Sequence, residues 1–534
     1  MNDSVPVLIV GAGPVGLTMA ALLARHDIPF RIIDKKLKPV ITSNATVTQT
    51  KTLEIWEDIG ILPEILANGH KIQGVNLYSG KKRFLNLDLS QLDHFCPFVI
   101  GIPQSQTETI LHRHLSQNGV NIELEVELIN CQEHENHVTA TLLHKDECEE
   151  KISVKWILAC DGYHSTLRHL LNVEFPGEEL EHHFIVSDIK LKTSAFSLDE
   201  VQNFFNPDGI FIIVPIDKGY SRIVADVTCD PELSTSTSPS SQQVKAVITK
   251  RCPFVLEMDE PRWSSGFWIH ERMLNNYRKN RVFFAGDAAH VHSPAGGQGM
   301  NTGIQDAHNL IWKLALVIQD HAQEKLLDSY QYERRPVAQA VLKNSTKLTR
   351  VMTLRHPLLQ FIRNILIKVI FAMRKNRLKL ISYLTELSIS YENSFIVKDL
   401  LPPREGIKAG RALVDVKFQM LEEEKRLFDV VSGTTHCLLM FTGNKTLNTM
   451  AAYKELQNKI NKVYHNLVRV ILITLDESTE WTGEKIIDRH GVVHKRYSIK
   501  NSCLYLIRPD RYIAFRSQGD QGDALLDYLA TIFK

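Results

Sequence analysis

The chain has 534 residues, of which 44% are hydrophobic and 23% charged, with a formal net charge of +1. That length is too great for one compact domain and predicts about two to four, with an ordinary globular composition. The balanced charge leaves no global field for nucleic acid or an acidic partner.

The eight cysteines are scattered and none forms C-x-x-C. Neither a zinc site nor a dithiol pair is signalled, so no metal is expected and the thiols read as reduced, in a cytoplasmic protein. No basic and then apolar leader precedes the first strand, so no export is inferred. The longest apolar patch, residues 358–373, is broken by Arg363 and Lys368. It is too short and too charged to be a transmembrane segment.

In chain order, residues 7–10 form a short apolar run that reads as a buried strand. Gly11, Gly13 and Gly16 then make G-x-G-x-x-G, with Pro14 inside it, and a helix follows over residues 17–25. A second strand over residues 30–33 ends at Asp34 and Lys35. Gly11 permits the tight turn, Gly13 lets a pyrophosphate approach the backbone, and Gly16 lets the helix pack closely on the sheet. The helix N-terminus offers unpaired N–H groups to phosphate, and Asp34 sits where an acid accepts ribose hydroxyls. This context predicts dinucleotide binding; the motif alone does not separate FAD from NAD.

Residues 46–59 have helical spacing. Residues 72–89 read as strands with a turn at Ser79 to Lys82, and a helix follows the Pro103-Gln104 pair. Three strands are expected between residues 121 and 154. A strand at residues 156–160 runs into Asp161-Gly162, with Ser165 placed to cap a helix. From about residue 175 to 267 short β-like segments dominate, a mostly antiparallel sheet distinct from the dinucleotide fold. Residues 230–243 read as a polar loop leading into a helix.

The strand at residues 281–285 feeds Gly286-Asp287, then Pro294, Gly296, Gly297, Gly299, Met300 and Asn301, then a long helix to residue 318. Residues 324–390 are helical, amphipathic and basic. A membrane-surface helix is one reading of that segment; helices packed on the domain with a solvated basic face is the preferred one. Beyond the Pro/Gly break at 401–406, alternating strands and helices form a small α/β domain.

Three motifs are now in order along the chain: Gly11 to Gly16; Asp161-Gly162 with Ser165 and Arg168; and Gly286-Asp287 through Asn301. Together they resemble those of the FAD-dependent aromatic hydroxylases, the group A flavoprotein monooxygenases, and in particular the subgroup acting on phenols, phenylpropionates and aromatic polyketides. The resemblance runs through residues 401–411 and 508–516, which look like the boundary and last hairpin of that family's C-terminal thioredoxin-like domain.

The fold it implies is α/β: an FAD-binding Rossmann-like domain interleaved with a mostly antiparallel substrate sheet, plus the thioredoxin-like domain. The expected divisions are 1–174 for the first FAD-binding part, with 72–99 contributing to the substrate domain; 175–275 for the substrate sheet; 276–398 for the second FAD-binding part and helices; and 399–534 for the thioredoxin-like domain.

The resemblance also implies roles. Gly11, Gly13, Pro14, Gly16, Asp34 and Lys35 would hold the pyrophosphate and adenosine end. Gln104 lies near the flavin. Asp161 serves both FAD and NAD(P)H, and Gly286 with Asp287 takes the ribityl chain. Gly297 and the N–H groups near Gly299, Met300 and Asn301 face the isoalloxazine, and the Pro294 carbonyl lies near oxygen transfer.

The implied activity is hydroxylation of a small phenolic or aromatic substrate with NADPH or NADH and O2, through a flavin C4a-hydroperoxide. Tyr220 and Arg222, on a substrate-sheet strand, are candidates to activate the phenol, each weighed against a plain sheet role. His290 reads as a structural hydrogen-bonder rather than a base.

There are departures: Asn44 and Lys51 stand where the family commonly has arginines. Two alternatives stay open: an FAD-dependent epoxidase or reductase on the same scaffold, and a catalytically silent flavin- or ligand-binding protein. By family analogy the C-terminal domain is a candidate homodimer contact.

Overall fold

Four β-branched and leucine side chains, Val7–Val10, are wholly enclosed, as a central parallel strand requires. In the computed structural model, which describes residues 5–37, 45–217, 219–293, 296–402, 406–420, 423–443 and 449–534, this strand is third from one edge of a six-stranded sheet. The order is Ile122–Leu124, Phe30–Asp34, Val7–Val10, Trp156–Ala159, Val282–Phe284, Arg278–Lys279. All neighbours run parallel except the Arg278–Lys279 edge. Residues 11, 160 and 285 therefore follow the ends of three adjacent strands, where an open parallel sheet binds its ligands.

By packing, the chain divides into two units, Met1–His308 with Arg335–Ser388, and Asn309–Arg334 with Ile389–Lys534. The first unit holds the parallel sheet and a nine-stranded, mostly antiparallel sheet. That second sheet centres on Gly177–Lys192, paired with Tyr220–Asp226 on one side and Trp263–Met273 on the other. Strands Gly74–Ser79 and Lys82–Asp88 join it through Val201–Asn206. Its apolar side closes over a core that includes Ile185, Phe204, Phe211, Ile213 and Ile223.

The second unit has a six-stranded sheet in the order Lys398–Asp399, Ile513–Gln518, Cys503–Ile507, His436–Phe441, Val468–Thr474, Glu484–Ile487. Three parallel strands followed by an antiparallel hairpin give it a thioredoxin-like arrangement. Trp312, Leu316 and Leu326 complete its core beside Leu438, Leu456 and Phe515. Inside the unit Glu333 accepts from Lys313 at 2.8 Å and from Arg508 at 2.6 Å, all three buried.

Two expected elements differ. Residues 46–59 are a strand, Val47–Thr48, and then a helix, Thr50–Asp58, because Val47–Thr48 pairs with Val99–Gly101. Residues 121–154 hold four strands, not three. The extra one, Ile122–Leu124, belongs to the parallel sheet, and Glu125, in the left-handed region at φ 59°, breaks it from Glu127–Glu133. The polar loop before Ser241–Arg251 ends as expected, at a capping box of Ser240 and Gln243.

Candidate active site: a dinucleotide cleft joined to a substrate sheet

The glycine loop is shaped by its neighbours. Gly11 has φ +103°, and a Cβ there would meet the Cys160 carbonyl oxygen at 2.3 Å. A Cβ on Gly16 would meet the Gly11 carbonyl oxygen at 1.9 Å, so the helix Pro14–Arg25 lies directly on the turn. Gly13 differs: nothing lies within 4 Å of its missing Cβ. It is the N-cap of the helix, with no side-chain cap and no acid in the first turn. Pro14, at the first helical turn, is buried. The helix N-terminus thus presents N–H groups toward open space with nothing negative of its own beside them.

Asp34 ends the neighbouring strand. It accepts from the Ala12 N–H at 2.7 Å and the Lys36 N–H at 2.9 Å, so the loop fixes its carboxylate. The Lys35 ammonium lies 3.6 Å from Glu127.

Asp161 follows the third strand. Its Oδ2 accepts from the Leu167 N–H at 3.1 Å, while Oδ1 is buried with no partner among the described residues. Burial raises its carboxyl above the usual range. Ser165 caps the next helix through the Arg168 N–H at 3.1 Å. Arg168 donates to the carbonyls of Tyr163 and, at 3.1 Å, Ala288, tying this loop to the next.

Gly286 abuts the first loop: a Cβ there would meet Val15 at 2.8 Å. Asp287 opens to solvent yet is set deep among protein atoms, and this dehydration raises its carboxyl, opposed by His290.

Two residues that sequence reasoning missed hold this loop in place. Asp306 accepts from the Gly286 N–H at 3.2 Å and from His290 Nε2 at 2.7 Å. A Cβ on Gly303 would come within 2.9 Å of the Gly286 Cα. The one available signal was polarity: Asn301, Thr302, Gln305 and Asp306 are all buried on a helix otherwise rich in apolar residues.

Gly297, with φ +63°, and Gly299 lie in the loop and first turn before this helix, with Met300 half-buried. Asn301 fastens them. Its Oδ1 accepts from the Gln49 N–H, and its amide donates to the carbonyls of Val47 and Gly297, each at 2.8 Å. His292, beside them, is brought down to about 4 by burial. Pro294 lies outside the described residues, as does Asn44. Lys51 is described: its ammonium pairs with Glu54 at 2.6 Å, and Glu54 also meets His94 at 2.9 Å. Burial alone would raise the Glu54 carboxyl; Lys51 and His94 outweigh it and bring it down to about 2.

Gln104 bonds Glu108 at 2.8 Å and accepts from the Ala45 N–H at 3.3 Å. Arg222 reaches the same segment from the antiparallel sheet. Its guanidinium grips Asp188 with two bonds, at 2.7 and 2.9 Å, and donates to Thr46 and, at 3.4 Å, to the Ala45 carbonyl. Tyr220 is placed otherwise, its ring 3.7 Å beneath the Arg262 guanidinium and 5.0 Å from the Lys190 ammonium. The fold therefore brings the three glycine-bearing loops, with Asp34, Asp161 and Asp287, together at the ends of adjacent parallel strands, joins Gln104 and Arg222 at Ala45–Thr46, and leaves Tyr220 on the sheet.

An uncapped helix N-terminus beside open space, a loop-fixed carboxylate for a ribose, and an orphaned buried Asp161 oxygen fit an extended anionic dinucleotide. With the large antiparallel sheet and the thioredoxin-like unit, this is the architecture of a dinucleotide-binding α/β protein that carries a second, mostly antiparallel sheet. A family described as FAD binding domain matches residues 4–345, and the chain belongs to the FAD-dependent aromatic monooxygenases of that family. It is 30% identical over 97% of its length, and 91% of the other chain, to 6-methylpretetramide 4-monooxygenase of Streptomyces rimosus. It is 28% identical over 97%, and 95% of the other chain, to pentachlorophenol 4-monooxygenase of Sphingobium chlorophenolicum. The solved structure of anhydrotetracycline hydroxylase from Streptomyces rimosus superposes with a TM-score of 0.74 at 25% identity, covering 99% of each chain.

Proposed function

We propose that this enzyme hydroxylates a small phenolic or aromatic substrate using NAD(P)H and O2, in the cytoplasm. The observation that carries the reading is the convergence of the three loops. Gly11 is backed by Cys160, Gly286 packs on Val15, and beside them one buried Asp161 oxygen has no partner among the described residues. Bound FAD supplies hydride acceptance and oxygen activation there.

The chain's own residues do the rest. Gly13 and the N–H groups of Pro14–Arg25 hold the pyrophosphate, with Asp34 on the adenosine ribose and Asp287 on the ribityl hydroxyls. Asp161 Oδ1 meets a hydroxyl or amide donor, which satisfies its buried acceptor. The N–H groups near Gly299, Met300 and Asn301 face the flavin's pyrimidine edge, and Pro294 borders the substrate. Both of these roles rest on the family resemblance.

Arg222 acts as a positioning residue. It latches Asp188 of the substrate sheet to Ala45–Thr46, whose neighbour Val47 is held by Asn301. Tyr220, covered by Arg262, is assigned to packing in this reading. The divisions 1–174, 175–275, 276–398 and 399–534 are the proposed functional domains, and the last is the proposed homodimer contact.

The test is the visible spectrum of the purified protein before and after anaerobic NADPH, with and without a pool of phenols. A flavin band that bleaches faster with phenols is expected, and splitting the pool finds the substrate. A band that never bleaches favours a silent ligand-binding flavoprotein. A protein that takes up no FAD overturns the reading.

A further inference from the structure

The helix Pro357–Ile370 in the first unit turns most of its polar residues toward the protein and an apolar face outward. Toward the protein, Ile367 and Phe371 pack against the cluster of Leu85, Leu87 and Ile381. Gln360 donates to the Asn206 carbonyl at 3.2 Å, and Arg363 is buried 4.1 Å over the Phe205 ring. On the outer side Leu358, Phe361, Ile362, Ile365, Leu366 and Val369 are each 43% to 65% exposed. At 3.6 residues per turn those six fill about 140° of the circumference with no polar residue among them. A contiguous exposed apolar patch of this kind marks an interaction surface.

Charge selects the occupant. Seven of residues 355–385 are Lys or Arg, and none is Asp or Glu. Lys368 borders the apolar face, and Arg374, Lys375 and Lys379 on the next helix, Arg374–Leu384, are exposed. A second copy of the chain seated on this face would bring the same cations against themselves, since a two-fold interface pairs a patch with itself. A nucleic acid would answer the cations and leave the apolar face in water. An anionic bilayer answers both, with acyl chains for the leucines and phenylalanine and headgroups for the lysines and arginines. The helix has 14 residues, a length of about 21 Å against a hydrocarbon core of about 30 Å, so it lies in the interface plane. No helix among the described residues is long and apolar enough to cross a membrane.

We propose that the outer face of Pro357–Ile370, with the basic helix that follows it, seats this enzyme on the surface of an anionic lipid bilayer. The inference stands apart from the choice of substrate, and its failure would leave the hydroxylase reading intact.

The test is co-sedimentation of the FAD-loaded full chain with vesicles of phosphatidylcholine alone, and of equal parts phosphatidylcholine and phosphatidylglycerol. The bound fraction is expected to be about tenfold greater on the anionic vesicles and to fall in high salt, where the cations are screened. Phe361→Ser with Leu366→Ser, and separately Lys375→Glu with Lys379→Glu, are expected to stay in the supernatant. Both pairs change exposed side chains, so flavin absorbance and melting temperature are expected to match the parent. A parent protein that ignores anionic vesicles overturns the proposal, as does equal binding to both lipids. A lipid-free dimer that the Phe361→Ser, Leu366→Ser pair dissociates would give the face to a second copy and also overturn it.

Discussion

Two glycines three residues apart do opposite work, and the space around each says which. Gly16→Ala puts a methyl 1.9 Å from the Gly11 carbonyl oxygen, so the helix must move off the turn. The expected cost is about 1–3 kcal/mol with loss of flavin, read as a lower melting temperature of the apoprotein. Gly13→Ala meets nothing within 4 Å, so the apoprotein is expected to lose no more than about 1 kcal/mol, from the poorer N-cap. Its larger defect should appear in FAD titration, because the new methyl lies where a pyrophosphate approaches. Equal flavin retention by parent and Gly13→Ala would count against a ligand there.

At this scale the glycine loop was legible in the sequence because turn, helix start and strand end are local. Asp306 and Gly303 were not, because their work is done on Gly286, on the far side of the intervening loop. Arg222 reads from the sequence as either a phenol-activating candidate or a plain sheet residue; its described bonds join one segment to another, a pairing only the folded register of the sheet reveals.

Among the elements, the strand His436–Phe441 opens with a histidine sealed between the rings of Trp312 and Phe533, each 5.2 Å away. Burial, helped by Arg508, pushes its pKa from 6.5 down to about 3. The folded state therefore keeps the neutral ring while the unfolded chain takes a proton below pH about 6.5. Stability is complete above that pH and falls as pH drops toward 3. At pH about 5 the loss from this one group is about 2 kcal/mol, and His436→Leu is expected to flatten the acid limb by that amount in denaturant melts. His26 and His292, each lowered to about 4, chiefly by burial, act with the same sign, so part of the slope survives the substitution. An unchanged slope would show that the ring protonates without unfolding.

The strand itself was legible from its apolar run, as were most of the parallel and hairpin strands. The fourth strand before Val154 was hidden because Ile122–Leu124 is only three residues long and is specified by its partner, not by its own alternation. Lys313 was hidden too: a buried lysine is tolerable only because Glu333 meets it, and nothing near either residue announces the other.

On the scale of the whole molecule, the near-neutral charge of the full chain conceals a strongly basic segment beside an uncovered apolar helix. From sequence that segment reads as packed helices with a solvated basic face. The inner side of Pro357–Ile370 is packed; the outer side is apolar rather than solvated-polar. Composition averages over surfaces and cannot report such a patch.

The two units are also threaded through each other in chain order, since Asn309–Arg334 belongs with Ile389–Lys534 while Arg335–Ser388 returns to the first. During synthesis, Trp312, Leu316 and Leu326 leave the ribosome long before the sheet strands that enclose them. The nascent chain must carry that apolar segment, with Lys313 and Glu333 in it, uncovered until the last hairpin emerges. A chain ended at residue 388 is accordingly expected to aggregate or to be held by chaperones, though it contains every loop of the cleft. A soluble, flavin-binding product of that length would show that the first unit matures alone. If it does not, the thioredoxin-like sheet, which has no redox cysteine pair of its own, is retained as the cover that lets the flavin enzyme leave the ribosome folded.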